Sequence, residues 1–296
     1  MGWISPRWWQ PEIDDAGNIA SRCGLCFHRC LIRPGGAGRC GARRFAGGVF
    51  ESPLLGKFVS AAVDPIEKKP IYHWRPGTKI LSLGGLHCNM SCPFCQNHAI
   101  AHPKGEIGVK DFLPPEKLAE TARGLGLGSV AYTYNEPALQ AEYIISAAPI
   151  LRGAGIASVM VTNGLFSREV GGELAPMIAA MNIDIKTFNS GVYGNLAGRA
   201  GSGAIETVMG NVESLCRAGV HVELTNLVVP GVSDSETGFA GMIDWIAGVS
   251  REIPLHISRY FPAYKYTAPA TDTGLLKKFE SAARKKLKFV HLGNVW

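Results

Sequence analysis

The sequence contains no apolar run long enough to cross a bilayer, which takes about 20 residues, so no membrane-embedded role is expected. Its first residues, "MGWISPRWWQPEIDDAG", lack a basic segment followed by an apolar one, so no secretory leader is expected. Pro6 stands where myristoylation needs Ser or Thr, and the terminal "HLGNVW" carries no prenylation or retention signal. Together these absences predict a cytoplasmic protein. Charge is modest as well, with 18% charged residues and a net charge of +6. The basic residues form short clusters, Arg43-Arg44, Lys68-Lys69, Lys277-Lys278 and Arg284-Lys285-Lys286 with Lys288. The last falls on a helical pattern and reads as a solvated face, an acidic protein partner or nucleic acid being the alternative that the sequence does not require. "GLGLGS" at 124–129 is no dinucleotide fingerprint, because it follows a helix and precedes a strand, the reverse of what phosphate binding needs.

Cysteine is scarce too, eight in 296 residues, yet seven fall in two tight groups. Cys88, Cys92 and Cys95 crowd a Gly-flanked loop, "LHCNMSCPFCQNH". At the chain's own cysteine frequency, a chance triplet of that spacing arises roughly once in 200 such sequences. Cys23, Cys26, Cys30 and Cys40 form the second group, with "PGGAG" turning the chain before the last. Without an export signal, reduced thiols favour metal or redox chemistry over disulfides. Cys216, in "ESLCRAG", reads as a small core residue.

Two regions differ in texture. Residues 1–76 are rich in Gly, Arg and Trp and show little periodicity. Such a segment buries little core, so a metal would help to organise it. Four thiolates suit zinc, with His28 as an alternative ligand, and a second iron–sulfur cluster is equally compatible. From residue 77, strand-like runs alternate with helix-like segments six times: "KILSLGG", "SVAYTY", "ASVMVT", "NIDIKTF", "HVELTNLVV" and "PLHISRY" each precede a helical pattern. That alternation predicts an α/β fold with parallel strands and right-handed crossovers. A partial (β/α)6 barrel of the TIM type over 77–296 fits the length, and a doubly wound sheet is the runner-up. The unusual polar residues fall after these strands: the cysteine loop, Asn135-Glu136-Pro137, Thr162-Asn163-Gly164, Asp184 with Lys186, and His256. Singly, a Glu-Pro opens a helix and a Thr-Asn-Gly makes a turn. Strand ends of a parallel fold share one face, so these five groups and "PGVSD" after the fifth strand are all expected at one mouth.

Three thiolates on a short loop hold either zinc, with His87 or His98 as a fourth ligand, or a 4Fe–4S cluster with one open iron. At this point the sequence resembles a known family. The C-x3-C-x2-C spacing with Phe94 before the last cysteine is similar to the radical S-adenosylmethionine (SAM) superfamily, and "YNEP" resembles its GGEP-type motif. "DIK" and "TNG" resemble elements of the pyruvate formate-lyase activating enzymes. "CGLCFHRCLIRPGGAGRCGAR", "DPIEKKPIYHWRPGT", "CNMSCPFCQN", "AYTYNEP" and "PLHISRYFPAYK" resemble the AmmeMemoRadiSam-system radical SAM enzymes, from about Cys23 to Asn294. The resemblance implies a 4Fe–4S cluster on Cys88, Cys92 and Cys95 and reductive cleavage of S-adenosylmethionine to a 5′-deoxyadenosyl radical. It implies that Glu136 meets the methionine amino group and that Asn135, Thr162, Asn163, Asp184, Lys186 and His256 contact the rest of the cofactor. It further implies a one-electron donor such as flavodoxin or ferredoxin. The hydrogen donor would be a partner, either a glycyl site of a protein or a small molecule. Three departures stand out: "YNEP" lacks the paired glycines, Val161 stands where an Asp often precedes "TN", and no ferredoxin-like insert follows the cysteines. The competing reading without catalysis is a zinc-organised basic interaction protein.

Overall fold

Strand "KILSLG" is apolar on both faces, as strands covered on both sides are, and it heads the central sheet. The computed structural model describes residues 4–105, 107–108, 111–198 and 203–295. In the N-terminal region, β1 (Trp9–Ile13), β2 (Ile19–Cys23) and β3 (Leu31–Ile32) form an antiparallel sheet. Asp14 closes the first turn by accepting the N–H groups of Ala16 and Asn18 at 3.0 and 2.9 Å. The hairpin of β4 (Arg44–Ala46) and β5 (Val49–Glu51) turns at Gly47-Gly48, both at positive φ (56° and 78°).

The central sheet has eight strands. They are β6 (Ser60–Pro65), β7 (Lys79–Gly84), β8 (Ser129–Tyr132), β9 (Ala157–Thr162), β10 (Ala180–Asp184), β11 (His221–Val228), β12 (Leu255–Arg259) and β13 (Val290–Gly293), neighbouring one another in chain order. All pairs are parallel except β6 with β7. Helices α1 (His98–Ala101) and α2 (Pro115–Gly124) join β7 to β8, α3 (Ala141–Gly153) joins β8 to β9, and α4 (Arg168–Leu174) leads to β10. Helices α5 (Ser190–Ala197) and α6 (Ala204–Arg217) lead to β11, α7 (Glu236–Val249) to β12 and α8 (Thr273–Arg284) to β13. The helices start where their sequences provide caps: Ser167, Asn189, Ser235 and Asp272 each accept an N–H of the first turn of α4, α5, α7 and α8.

The expected partial (β/α)6 barrel is therefore present, with two strands added at its rims. Strand β13 comes from the short run "FVHLGN". Strand β6 comes from before residue 76, so the sheet takes its antiparallel edge from the region read as N-terminal. The Gly-rich segment "SGVYGNLAGRAGSG" begins as α5, which ends at Gly198 in the left-handed conformation (φ 71°). Residues 199–202 lie outside the described residues.

The segments around the N-terminal sheet are locked onto the barrel by polar contacts. Arg43 donates two hydrogen bonds of 2.7 Å to the carboxylate of Glu142 on α3, and the Arg7 N–H adds a third at 2.8 Å. Phe27 N–H reaches Leu165 O at 2.9 Å, and Ser167 N–H reaches Leu25 O at 3.0 Å. His28 Nε2 lies 2.7 Å from Asn89 O, beside Cys88.

Candidate functional site

The cysteine loop follows β7 and is tied down from every side. Asn135 accepts Gly85 N–H at 3.1 Å and donates to His87 O at 2.7 Å, so its amide braces the loop from the neighbouring strand end. Ser91 N–H donates to Leu196 O of α5 at 2.8 Å, and Lys265 N–H to Pro93 O at 2.9 Å. Phe94 packs edge-on against Tyr260 and Tyr266, in the "SRYFPAYK" segment.

Cys88, Cys92 and Cys95 open into a cavity of about 250 Å³ that is also lined by Asn135, Glu136, Asn163, Asp184 and Lys186. Four of the predicted strand ends thus meet. Glu136 is 1% exposed and caps the 3-10 turn Pro137–Gln140 by accepting Ala138 N–H at 2.9 Å. It also accepts the Thr162 hydroxyl at 2.7 Å and Asn163 N–H at 2.9 Å. Burial pushes its carboxyl up to about 7, against the pull of these donors. A carboxylate has about four lone-pair sites, so three internal donors leave one for a ligand. Thr162 stands behind Glu136 rather than on the cavity wall, and its hydroxyl also accepts Gly164 N–H at 3.1 Å. Asn163 donates to Asn89 Oδ1 at 2.7 Å and points the same amide at Cys88 Sγ, 3.7 Å away.

Lys186 pairs with Asp184 at 3.0 Å. Burial works against its charge, but Asp184 and then Cys92 outweigh it and hold the ammonium protonated. The three thiols are shifted the other way. Burial is the main cause at all three, lifting Cys92 to about 11, while Lys186 pulls Cys92 and Cys95 back toward the thiolate.

The loop "YNEP" keeps a glycine's backbone without the glycine. Tyr134 has φ 73°, a conformation that costs a non-glycine residue about 1–2 kcal/mol. Its side chain is anchored in return: the hydroxyl donates to Asp64 Oδ2 at 2.6 Å, and the Lys69 ammonium lies 4.3 Å from the ring centre. Its carbonyl accepts Asn97 Nδ2 at 2.7 Å, below the cysteine loop. Sequence reasoning missed Tyr134, Asn89 and Ser258, the last of which lines the cavity from β12.

His256 is not brought to this site. It lies two residues before Ser258 on β12, toward the strand's start, and is 3% exposed. Its Nε2 lies 2.7 Å from Glu223, which also meets His221 and the N–H groups of Tyr72 and His73. This cluster closes the opposite end of the barrel. Glu223 is held well below the usual carboxylate range, because those four partners outweigh its burial.

Cys23 ends β2, while Cys26, Cys30 and Cys40 lie in the loops around β3. Cys23 N–H donates to Cys30 O at 2.9 Å, and Arg39 N–H reaches Cys30 Sγ at 3.5 Å. Among the described residues, no three His, Cys, Asp or Glu side chains stand at single-ion spacing, in either cysteine group. A cluster is larger than one ion, and the donor set of the loop fits one. Three thiols share a cavity without a fourth, and Met90 N–H (3.4 Å) and the Asn163 amide both point at Cys88 Sγ. Among the described residues, no helix is long and apolar enough to cross a membrane.

Comparison with known proteins agrees with this geometry. The radical SAM superfamily model matches residues 84–241. An uncharacterized protein of Methanocaldococcus jannaschii is 36% identical over 278 residues, covering 93% of this chain and 81% of that one. The pyruvate formate-lyase 1-activating enzyme of Escherichia coli is 27% identical over 153 residues, which cover 50% of this chain and 61% of that enzyme. In fold, a radical SAM methyltransferase from Sphaerobacter thermophilus superposes with a TM-score of 0.55 at 14% identity, covering 96% of this chain and 76% of that one. Cysteine spacing, converging strand ends and family match lead to one conclusion: the chain belongs to the radical SAM superfamily, whose members use a 4Fe–4S cluster and S-adenosylmethionine.

Proposed function

We propose that the chain cleaves S-adenosylmethionine reductively at the cysteine loop and removes a hydrogen atom from a partner presented at the barrel mouth. A 4Fe–4S cluster, when bound, supplies the electron that breaks a carbon–sulfur bond of the cofactor. Cys88, Cys92 and Cys95 would hold it, and Lys186 stabilises the negative charge collected there. Glu136, with one acceptor site left, orients a cationic amino group, while Asn163 and Asp184 offer polar contacts along the same wall. The observation that carries this reading is the three-thiol set without a fourth thiol on a wall shared with Glu136 and Lys186.

The cavity, about 250 Å³, is smaller than the usual ligand site of about 300–1,000 Å³, so it has no room for a hydrogen donor beside a cofactor. A hydrogen donor would therefore approach from outside. Similarity to an activating enzyme favours a protein donor, with a backbone glycine as its reacting site, and a small molecule is the second candidate. A cytoplasmic setting suits oxygen-sensitive chemistry of this kind.

The N-terminal cysteines are the proposed seat of a second metal centre, zinc or a further cluster. Burial raises the Cys23, Cys26 and Cys40 thiols, Cys23 to about 11, so a bound metal is what would make them thiolates. The test is anaerobic purification with counting of iron, sulfide and zinc, followed by dithionite and S-adenosylmethionine. The expected result is about four irons with release of 5′-deoxyadenosine, both lost when Cys88, Cys92 and Cys95 become Ala. About eight irons, or four with one zinc, would decide the N-terminal centre. Zinc alone without cofactor cleavage would leave a zinc-organised interaction protein instead.

A further inference from the structure

A second cavity, of about 630 Å³, shares no lining residue with the first but is linked to the same cysteine loop by hydrogen bonds from its walls. Its walls carry Arg22 and Glu12 from the N-terminal sheet, His28, Arg29, Cys30 and Arg39 from the loops beside it, and Gly198 at the end of α5. Two of these elements bond directly to the backbone beside the cluster ligands. His28 Nε2 lies 2.7 Å from Asn89 O, next to Cys88. Helix α5 accepts Ser91 N–H, next to Cys92, two residues before Gly198. The loop therefore has a cofactor cavity at one face and a basic cavity at another.

The charge of this cavity is lopsided. Glu12 engages Arg22 in a two-pronged pair of 2.8 and 2.5 Å. Arg29 and Arg39 add two more positive charges, and both are exposed. The Arg39 guanidinium packs against Gly198, where even a methyl group would overlap it. Exposed arginines around a wide opening steer an acidic protein surface and set its orientation.

We propose that this basic cavity docks an acidic one-electron carrier, which delivers its electron through His28 and Asn89 to the centre on Cys88, Cys92 and Cys95. The proposal rests on the radical SAM reading above. The carrier loses one electron and the centre gains it, with no bond made and no proton moved. Entry by this route leaves the catalytic mouth free, so carrier and hydrogen donor bind together.

The experiment uses the full chain, reconstituted anaerobically, with an acidic flavodoxin as probe. Binding is read by calorimetry at low salt, and 5′-deoxyadenosine release is read with either the reduced flavodoxin or dithionite as reductant. Expected for R29E/R39E is a flavodoxin Kd raised at least about tenfold and a matching loss of flavodoxin-driven turnover, with dithionite-driven turnover kept. The milder R29Q and R39Q, one charge each, should shift Kd the same way by several-fold, which covers a double variant that folds poorly. An unchanged Kd in all three variants overturns the proposal. So does binding of inorganic phosphate with no binding of flavodoxin. Failure of the radical SAM reading shows elsewhere, as a wild-type chain inactive with dithionite, and the calorimetry still reads the docking.

Discussion

The Thr162 hydroxyl donates to Glu136 at 2.7 Å, and the N–H of the next residue, Asn163, reaches the other carboxylate oxygen at 2.9 Å. Two strand ends are thereby joined through one buried carboxylate. Thr162→Val keeps the shape and leaves a buried carboxyl one donor short, a loss of about 1–3 kcal/mol. Urea unfolding should show it as a lower midpoint with unchanged slope. S-adenosylmethionine affinity should fall several-fold even though Thr162 is off the cavity wall. A variant of wild-type stability and affinity would mean that the hydroxyl contributes nothing to placing Glu136.

Lys186 is the cation nearest in effect to two of the three cluster thiols. Lys186→Met should leave Cys92 and Cys95 harder to ionise and Asp184 without its partner. Metal loading requires thiolates, so iron incorporated at pH 7 should drop several-fold. Raising the pH during reconstitution should recover part of it. Iron content equal to wild type at pH 7 would contradict this role.

How much of this was legible in the sequence depends on the kind of signal. Strands β7 to β12 announce themselves because a parallel strand covered on both faces is a continuous apolar run. Strand β6, "SAAVDP", does not: as an edge strand it leaves Val63 45% exposed and shows no continuous apolar run. The cysteines, Glu136, Asn163, Asp184 and Lys186 sit immediately after apolar runs, so their strand ends were readable. His256 failed the same reasoning because "PLHISRY" does not mark where the strand begins and ends, and His256 is only its second residue. Ser258, facing the same way two residues on, is the one at the mouth. Tyr134 was hidden for another reason: a tyrosine at φ 73° is set by Asp64 and Lys69, far away in sequence.

Arg43 and Glu142 are 0% and 1% exposed and joined by two hydrogen bonds. Breaking a buried pair by removing one partner strands the other charge, a cost of about 3–5 kcal/mol. Arg43→Met should lower the unfolding midpoint sharply and free the N-terminal sheet, seen as early proteolysis near residues 24–44. Arg43→Met with Glu142→Leu should recover most of the stability, because neither charge is left buried alone. If the double variant is no better than the single, the pair acts through Arg7 or the cysteine region instead.

The two ends of the barrel should respond oppositely to pH. Burial, and then His256 and His73, depress His291 to about 4. The unfolded chain takes up that proton more readily, so this contribution is fully present above about 6.5 and lost as pH falls toward 4. Glu136 is raised to about 7 by burial. Its contribution is fully present below the ordinary carboxylate value of about 4.5 and lost as pH rises through 7. Between pH 4.5 and 6.5 the two trends oppose each other, so the wild-type profile alone shows little. His291→Phe removes the loss on acidification, and the metal-free variant should gain on wild type as pH drops. Glu136→Gln removes the gain on acidification, so its deficit against wild type should widen over the same range. Urea midpoints from pH 7.5 to 4.5 separate them, and two variants moving in the same direction would refute the assignment of at least one group.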